Sequence, residues 1–193
     1  IAKKRAKKIA HDYEKIGGRS PIYFDTEELA KGLRERLGKK VVTFHRYLPK
    51  THGAFLEEVE RLAEEEIVAL PLFPQFCYGT TGSIARFFEE RLSPRTVKKL
   101  RWIKSYAGHP SFVLSYQRRI ADFLKREELP EEEVLLLFSA HGVPRSFIEG
   151  GDLYEAECRL SFEEVMKGFP QALGLLSLDR KSTRLNSSHS DRS

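Results

Sequence analysis

A chain of 193 residues, 40% apolar and 32% charged, is long enough for one sizeable core, and it holds no run of eighteen apolar residues, so no transmembrane helix is predicted. Its net charge of +5 comes from the ends: five bases in residues 1–8 and a surplus of three over 180–193 leave the body near −3. That body has no basic stripe with interleaved aromatics, which excludes a nucleic-acid surface, and Cys77 and Cys158 are too few for a disulfide framework or a thiolate metal site, which favours a reducing, cytoplasmic setting.

The chain opens on "IAKKRAKKIA", basic but without the apolar stretch of a signal peptide, and starts at Ile1, which suggests a true start further upstream. Residues 3–16 have a helical period, closed by Gly17-Gly18 and Pro21, and a second helix over 26–37 is closed by Gly38. "VVTFHRY" (41–47) has the β-branched and aromatic content of a strand. A helix over 53–65 leads to the strand "IVALPLF" (67–73), then a helix over 83–92 to the strand "LRWIKSY" (100–106). Residues 111–127 place Phe112, Tyr116, Ile120, Phe123 and Leu124 along one stripe, as a helix covering a sheet should. The strand "VLLLFSA" (134–140), a helix over 153–167 and the strand "LGLLSL" (173–178) complete the order. Apolar strands alternating with helices predict an α/β fold with a parallel, doubly wound sheet.

Residues 180–193, "RKSTRLNSSHSDRS", carry five serines and the chain's only Asn. They are expected to be a disordered, non-native-looking tail, which removes His189 as a ligand candidate. Residues 1–179 hold one Met and many Glu, Lys and Arg, a composition of thermophilic character.

In an open α/β sheet, ligands bind beyond the carboxyl ends of the strands. Three such ends carry unusual chemistry: His45-Arg46-Tyr47 with Pro49, "PQFCYGTTGS" (74–83), and "SAHGVP" (139–144). All three are expected to open on the same edge. Arg46 is as readily an ion-pair partner as a substrate group. "TTGS" reads equally as a helix N-cap by Thr81 or Ser83. It lacks a P-loop Lys, and no GxGxxG occurs, so nucleotide binding is disfavoured. No G-x-S-x-G elbow, H-E-x-x-H or Cys/His cluster is present. His141, between Ala140 and Gly142 where the strand should break, is left as a base or a single metal ligand, since an imidazole accepts a proton near neutral pH.

"LLFSAHGVPRSFIEGGDLY" (136–154) resembles the signature segment of the ferrochelatases, which insert ferrous iron into a porphyrin in haem synthesis. "YEKIGGRSP" (13–21), "HRYLP" (45–49) and "PLFPQFCYGTTGS" (71–83) agree in order and spacing, and the likeness runs from about residue 3 to 178. It implies a Rossmann-like parallel sheet with helices on both faces, the first of two similar halves around a porphyrin cleft, with entry into the second half near 135–179. It implies that His141 lies at the porphyrin's centre as proton acceptor or iron ligand. By position, Arg5, Tyr13 and Ser20 match porphyrin contacts, Arg46 an inner-cleft arginine, and His109 a His that is functional in some members. Arg5 would suit a propionate, because guanidinium takes a carboxylate with two parallel bonds.

Leu153 stands where the family has Pro, Cys77 where Ser is usual, and Tyr78 where cluster-bearing animal enzymes have Cys, so no iron–sulfur cluster or other cofactor is implied. Porphyrin and ferrous iron are the implied partners, with room for a peripheral membrane contact. Because the family's first strand should precede residue 1 and its second half follow residue 178, the chain is expected to be a fragment, inactive alone. Two alternatives are a cobalt or nickel tetrapyrrole chelatase and a non-catalytic α/β module that binds tetrapyrrole or an anion.

Overall fold

The computed structural model describes residues 11, 13–15, 17, 18 and 20–179. The expectations for residues 1–10, Arg5 among them, and for 180–193 lie outside the described residues. The chain divides into two compact units, residues 1–65 with 91–98, and residues 66–90 with 99–193.

In the first unit, α1 (Ile22–Leu37) ends on Gly38, whose left-handed φ of 61° lets its N–H return to the Arg34 carbonyl. A 3-10 turn at Pro49–Thr51 leads into α2 (His52–Glu60). Phe55 and Val59 of α2 are buried, and the Phe44 ring lies 4.7 Å from that of Phe55. Residues 41–47 are not a strand, against the expectation. Strand geometry persists only when a neighbouring strand takes its backbone groups, and no described strand pairs with this segment. Arg34 Nε donates to the Val41 carbonyl at 2.9 Å, and the Thr43 hydroxyl donates to Glu27. The Glu60 carboxylate accepts from the Ser93 and Thr96 hydroxyls at 2.9 and 2.6 Å, and so fastens the start of α4 (Pro94–Lys99) to α2.

The second unit holds β1 (Ile67–Ala69), a π turn at Tyr78–Gly82 running straight into α3 (Ser83–Arg91), then β2 (Leu100–Trp102) and α5 (Pro110–Arg126). After a 3-10 turn at Glu131–Glu133 come β3 (Leu135–His141), α6 (Arg145–Glu149), α7 (Tyr154–Met166) and β4 (Leu173–Asp179). The described strands form two parallel ladders: β1 with β2, Ile67 opposite Leu100, and β3 with β4, Leu135 opposite Leu173 through His141 opposite Asp179. β1 and β2 are shorter than their apolar runs. The runs 67–73 and 100–106 leave the ladder after three residues, as the Tyr106 N–H turns to the Pro74 carbonyl.

The core of this unit is Val113 and Leu124 of α5 against Val165 of α7 and Phe169, with Leu136, Phe138 and Met166 packed on it. β3 alternates strictly, so Leu136, Phe138 and Ala140 face this core while Leu135, Leu137, Ser139 and His141 face outward. Gly174, opposite Leu136, lets α7 lie close: a Cβ there would fall 2.8 Å from Met166 Cε.

Candidate active site

His141 is the last residue of β3 and is exposed. The chain then leaves the sheet, makes the single helical stretch α6 and turns at Gly150-Gly151 into Asp152. Asp152 is only 6% exposed, and its carboxylate has two backbone donors. Oδ2 accepts from the Tyr78 N–H at 2.6 Å, and Oδ1 accepts from the Tyr154 N–H at 2.9 Å. The Tyr78 hydroxyl donates to the Gly150 carbonyl at 3.1 Å, and its ring lies 6.0 Å from that of Phe147. The segment after His141 is thereby wrapped onto the loop that follows β1.

One face of α7 continues this work. Glu157 Oε2 accepts from the Phe76 N–H and from the Ser105 hydroxyl, both at 2.6 Å. The Ser161 hydroxyl accepts from Gln75 Nε2 and donates to the Ala107 carbonyl, both at 2.8 Å. Tyr154, Glu157, Cys158 and Ser161 recur at helical spacing, so α7 presents a polar face to the loops and an apolar face to the core. Burial pushes the Tyr154 phenol up to about 12, assisted by Cys158. Burial likewise pushes both the Cys77 and Cys158 thiols up, which keeps them un-ionised and unreactive at neutral pH.

The "YGTTG" turn settles one sequence-level choice differently. Neither Thr81 nor Ser83 caps it: the Ser83 hydroxyl donates to the Thr80 carbonyl, and the Gly79 N–H is taken by Cys77 Sγ at 3.3 Å. The wide π turn moves the start of the coil back to Tyr78, out of reach of either hydroxyl as a cap. The end of that coil attracts negative charge, and the Asp152 carboxylate already occupies it. No further anion is needed there.

The remaining predicted residues are distributed between the units. Tyr13, partly buried, accepts from the Gly18 N–H through its carbonyl at 2.7 Å. The Ser20 hydroxyl accepts from the Ile22 N–H at the start of α1. The Arg46 guanidinium lies 6.0 Å from the Tyr47 ring centroid. His109 caps α5, its Nδ1 accepting from the Ser111 N–H at 3.2 Å. Tyr13, Ser20 and Arg46 belong to the first unit, His109 and His141 to the second.

The described histidines sort by occupation. His45 is buried with Nε2 3.3 Å from Glu27, whose carboxyl is held below its ordinary range chiefly by the Thr43 hydroxyl. His52 bonds the His45 carbonyl, His11 lies 3.2 Å from Glu14, and His109 is a cap. The His141 ring alone has no hydrogen-bond partner among the described residues. No group of three His, Cys, Asp or Glu that could hold a metal occurs among those residues, and no helix among them is long and apolar enough to cross a membrane. Sequence reasoning missed Asp152, Tyr154 and Glu157. The one local signal was an Asp two residues before a helix, a capping position.

A family model described as Ferrochelatase matches residues 1–180. The ferrochelatase of Chlamydia abortus is 42% identical over 170 residues, which cover 88% of this chain and 52% of that protein. The Chlamydia trachomatis serovar L2 protein of the same name is 42% identical over 163 residues, 84% of this chain and 51% of the relative, and the Chlamydia pneumoniae one is 40% identical over 181 residues, 94% and 54%. The chain spans about half the length of the curated relatives it matches.

Proposed function

The chain belongs to the ferrochelatase family, and on that premise we propose that it supplies the His141 side of a site inserting ferrous iron into a porphyrin in haem synthesis. The observation that carries this reading is the free ring of His141. Every other described histidine has a partner that accounts for it, whereas this imidazole stands exposed at the carboxyl end of a strand.

Each insertion exchanges one Fe²⁺ for the two protons on the pyrrole nitrogens. A positioned imidazole lowers the barrier by taking a proton as the metal enters, or by holding the metal through one nitrogen, weakly enough to pass it on. Binding a bent macrocycle favours the transition state, because bending exposes the nitrogen lone pairs. Arg5 and Arg46 would meet propionate or inner-cleft charge, and Tyr13, Ser20 and His109 would contact the macrocycle. The two ladders would belong to one Rossmann-like sheet with helices on both faces, the first of two similar halves. A cytoplasmic setting fits the two free thiols, and no cofactor besides the substrate iron is proposed.

A chimera tests this: the matching 170-residue segment replaces its counterpart in the Chlamydia abortus relative. Anaerobic incubation with ferrous iron and porphyrin, followed by absorbance, should show insertion. His141→Ala should lower turnover roughly 10²-fold, the scale for a positioned acid–base group, with the circular dichroism unchanged. A folded chimera that binds porphyrin without inserting metal, or a His141→Ala chimera with near-normal turnover, would overturn the assignment.

A further inference from the structure

Residues 41–48 pair with no described strand, and side chains of α1 and α2 hold them instead. The segment sends its side chains to alternate sides, as along a strand. Thr43 and His45 both reach Glu27 of α1: the hydroxyl donates to Oε1, and the imidazole Nε2 lies 3.3 Å from the same oxygen. Phe44, between them, packs on α2, its ring 4.7 Å from that of Phe55 and 5.2 Å from that of His52. The chain then turns. The His45 carbonyl accepts from the Leu48 N–H at 3.0 Å and from His52 Nε2 at 3.1 Å, so Arg46 and Tyr47 are the central residues of a turn held from both helices. The Glu27 carboxyl, held below its ordinary range, is ionised at neutral pH and can only accept, so His45 Nε2 donates to it.

We propose that His45 and Glu27 are a positioning pair for Arg46: the carboxylate on α1 fixes the imidazole, and the imidazole fixes the turn from whose second residue the guanidinium departs. The proposal rests on reading Arg46 as a cleft group that meets porphyrin charge. His45 is 9% exposed, and its ring lies 4.8 Å from that of Tyr23. A benzene ring would meet that packing without the cost of burying two ring nitrogens. What it could not supply is a directional bond to a carboxylate, which sets the rotation of the turn as well as its depth.

His45→Phe keeps a ring and removes both nitrogens, while His45→Gln returns a donor near the place of Nε2. In the 193-residue chain, His45→Phe should quicken Leu48 amide exchange about tenfold, the equivalent of one hydrogen bond, with Phe55 and Val59 within about twofold of wild type. The Arg46 Nε resonance should shift or broaden. His45→Gln should bring the Leu48 exchange back to within about threefold of wild type. Thr96→Val, which removes a bond to Glu60 elsewhere in the same unit, should leave Leu48 within about twofold. In the chimera, His45→Phe should lower kcat/KM for porphyrin about tenfold and His45→Gln should restore most of it. Once Arg46→Ala is present, adding His45→Phe should cost no more than about twofold further, because residues acting through one another do not add. Unchanged Leu48 exchange and Arg46 resonance in a folded His45→Phe chain overturn the proposal. A Thr96→Val effect as large, no rescue by His45→Gln, or a full tenfold loss on top of Arg46→Ala would overturn it as well. A wild-type chimera that inserts no iron would remove the porphyrin reading of Arg46, and the Leu48 exchange and Arg46 resonance would still decide the positioning.

Discussion

Asp152→Ala tests what holds the loop to the strand end. The carboxylate is 6% exposed and accepts two backbone N–H bonds at 2.6 and 2.9 Å. Hydrogen bonds to an ionised group contribute about 1.5–3 kcal/mol each, and truncation leaves both donors without an acceptor. Tyr78 is 42% exposed, so water can reach its N–H in part and that bond belongs at the low end. The Tyr154 N–H belongs to a half-buried residue and lies at the high end, which puts the loss at about 4.5 kcal/mol. Asp152→Asn keeps one acceptor oxygen but turns an NH₂ toward the other donor, so it should cost about half as much. Trp102, the only tryptophan, sits in β2 with its ring 5.6 Å from Phe88, so its fluorescence reports the unit that contains Asp152. Urea unfolding read at this residue gives the difference directly. An Asp152→Ala loss below about 1 kcal/mol would show that water or a shifted side chain replaces the carboxylate, and the clamp argument would fail.

The Glu27 carboxyl is lowered from 4.5, first by the Thr43 hydroxyl and then by His45. Its contribution to the first unit is therefore complete above 4.5 and lost as pH falls through the lower folded value; Glu27→Gln should flatten that acid limb in thermal melts, modestly because the side chain is 35% exposed. The Tyr154 phenol is raised from 10 to about 12, so its contribution is full below 10 and lost as pH rises through 12. Tyr154→Phe should remove that share of the alkaline loss, and a variant with the wild-type alkaline limb would refute it. Gly151 holds φ at +90°, where a side chain is strained, so Gly151→Ala should cost about 1–2 kcal/mol in the same Trp102 assay.

The helix over 111–127 was legible to within a residue because an apolar stripe and an initiating Pro110 act within one segment. β3 and β4 were legible as apolar runs for the same reason. Residues 41–47 were not, since Val41, Val42 and Phe44 have strand composition but pairing is a property of two segments. At the candidate site, His141 is conspicuous in the sequence because it ends an apolar strand abruptly. Its support is not: Asp152 and Tyr78 are 74 residues apart, and a single carboxylate after two glycines looks like any solvated turn. Only folding reveals that this carboxylate is buried and takes the place of an anion at the head of the π turn.

The interleaving of the two units limits how the chain can be divided. Residues 91–98 belong with residues 1–65, yet they are strung between β1 and β2. Ending a recombinant chain at residue 65 would take Ser93 and Thr96 away from Glu60. Beginning one at residue 66 would keep 91–98 but leave it without the helix it is fastened to. A protease that cuts within 61–66 should therefore yield two pieces that stay associated until denatured, and a faithful dissection would need a permuted chain rather than a truncated one.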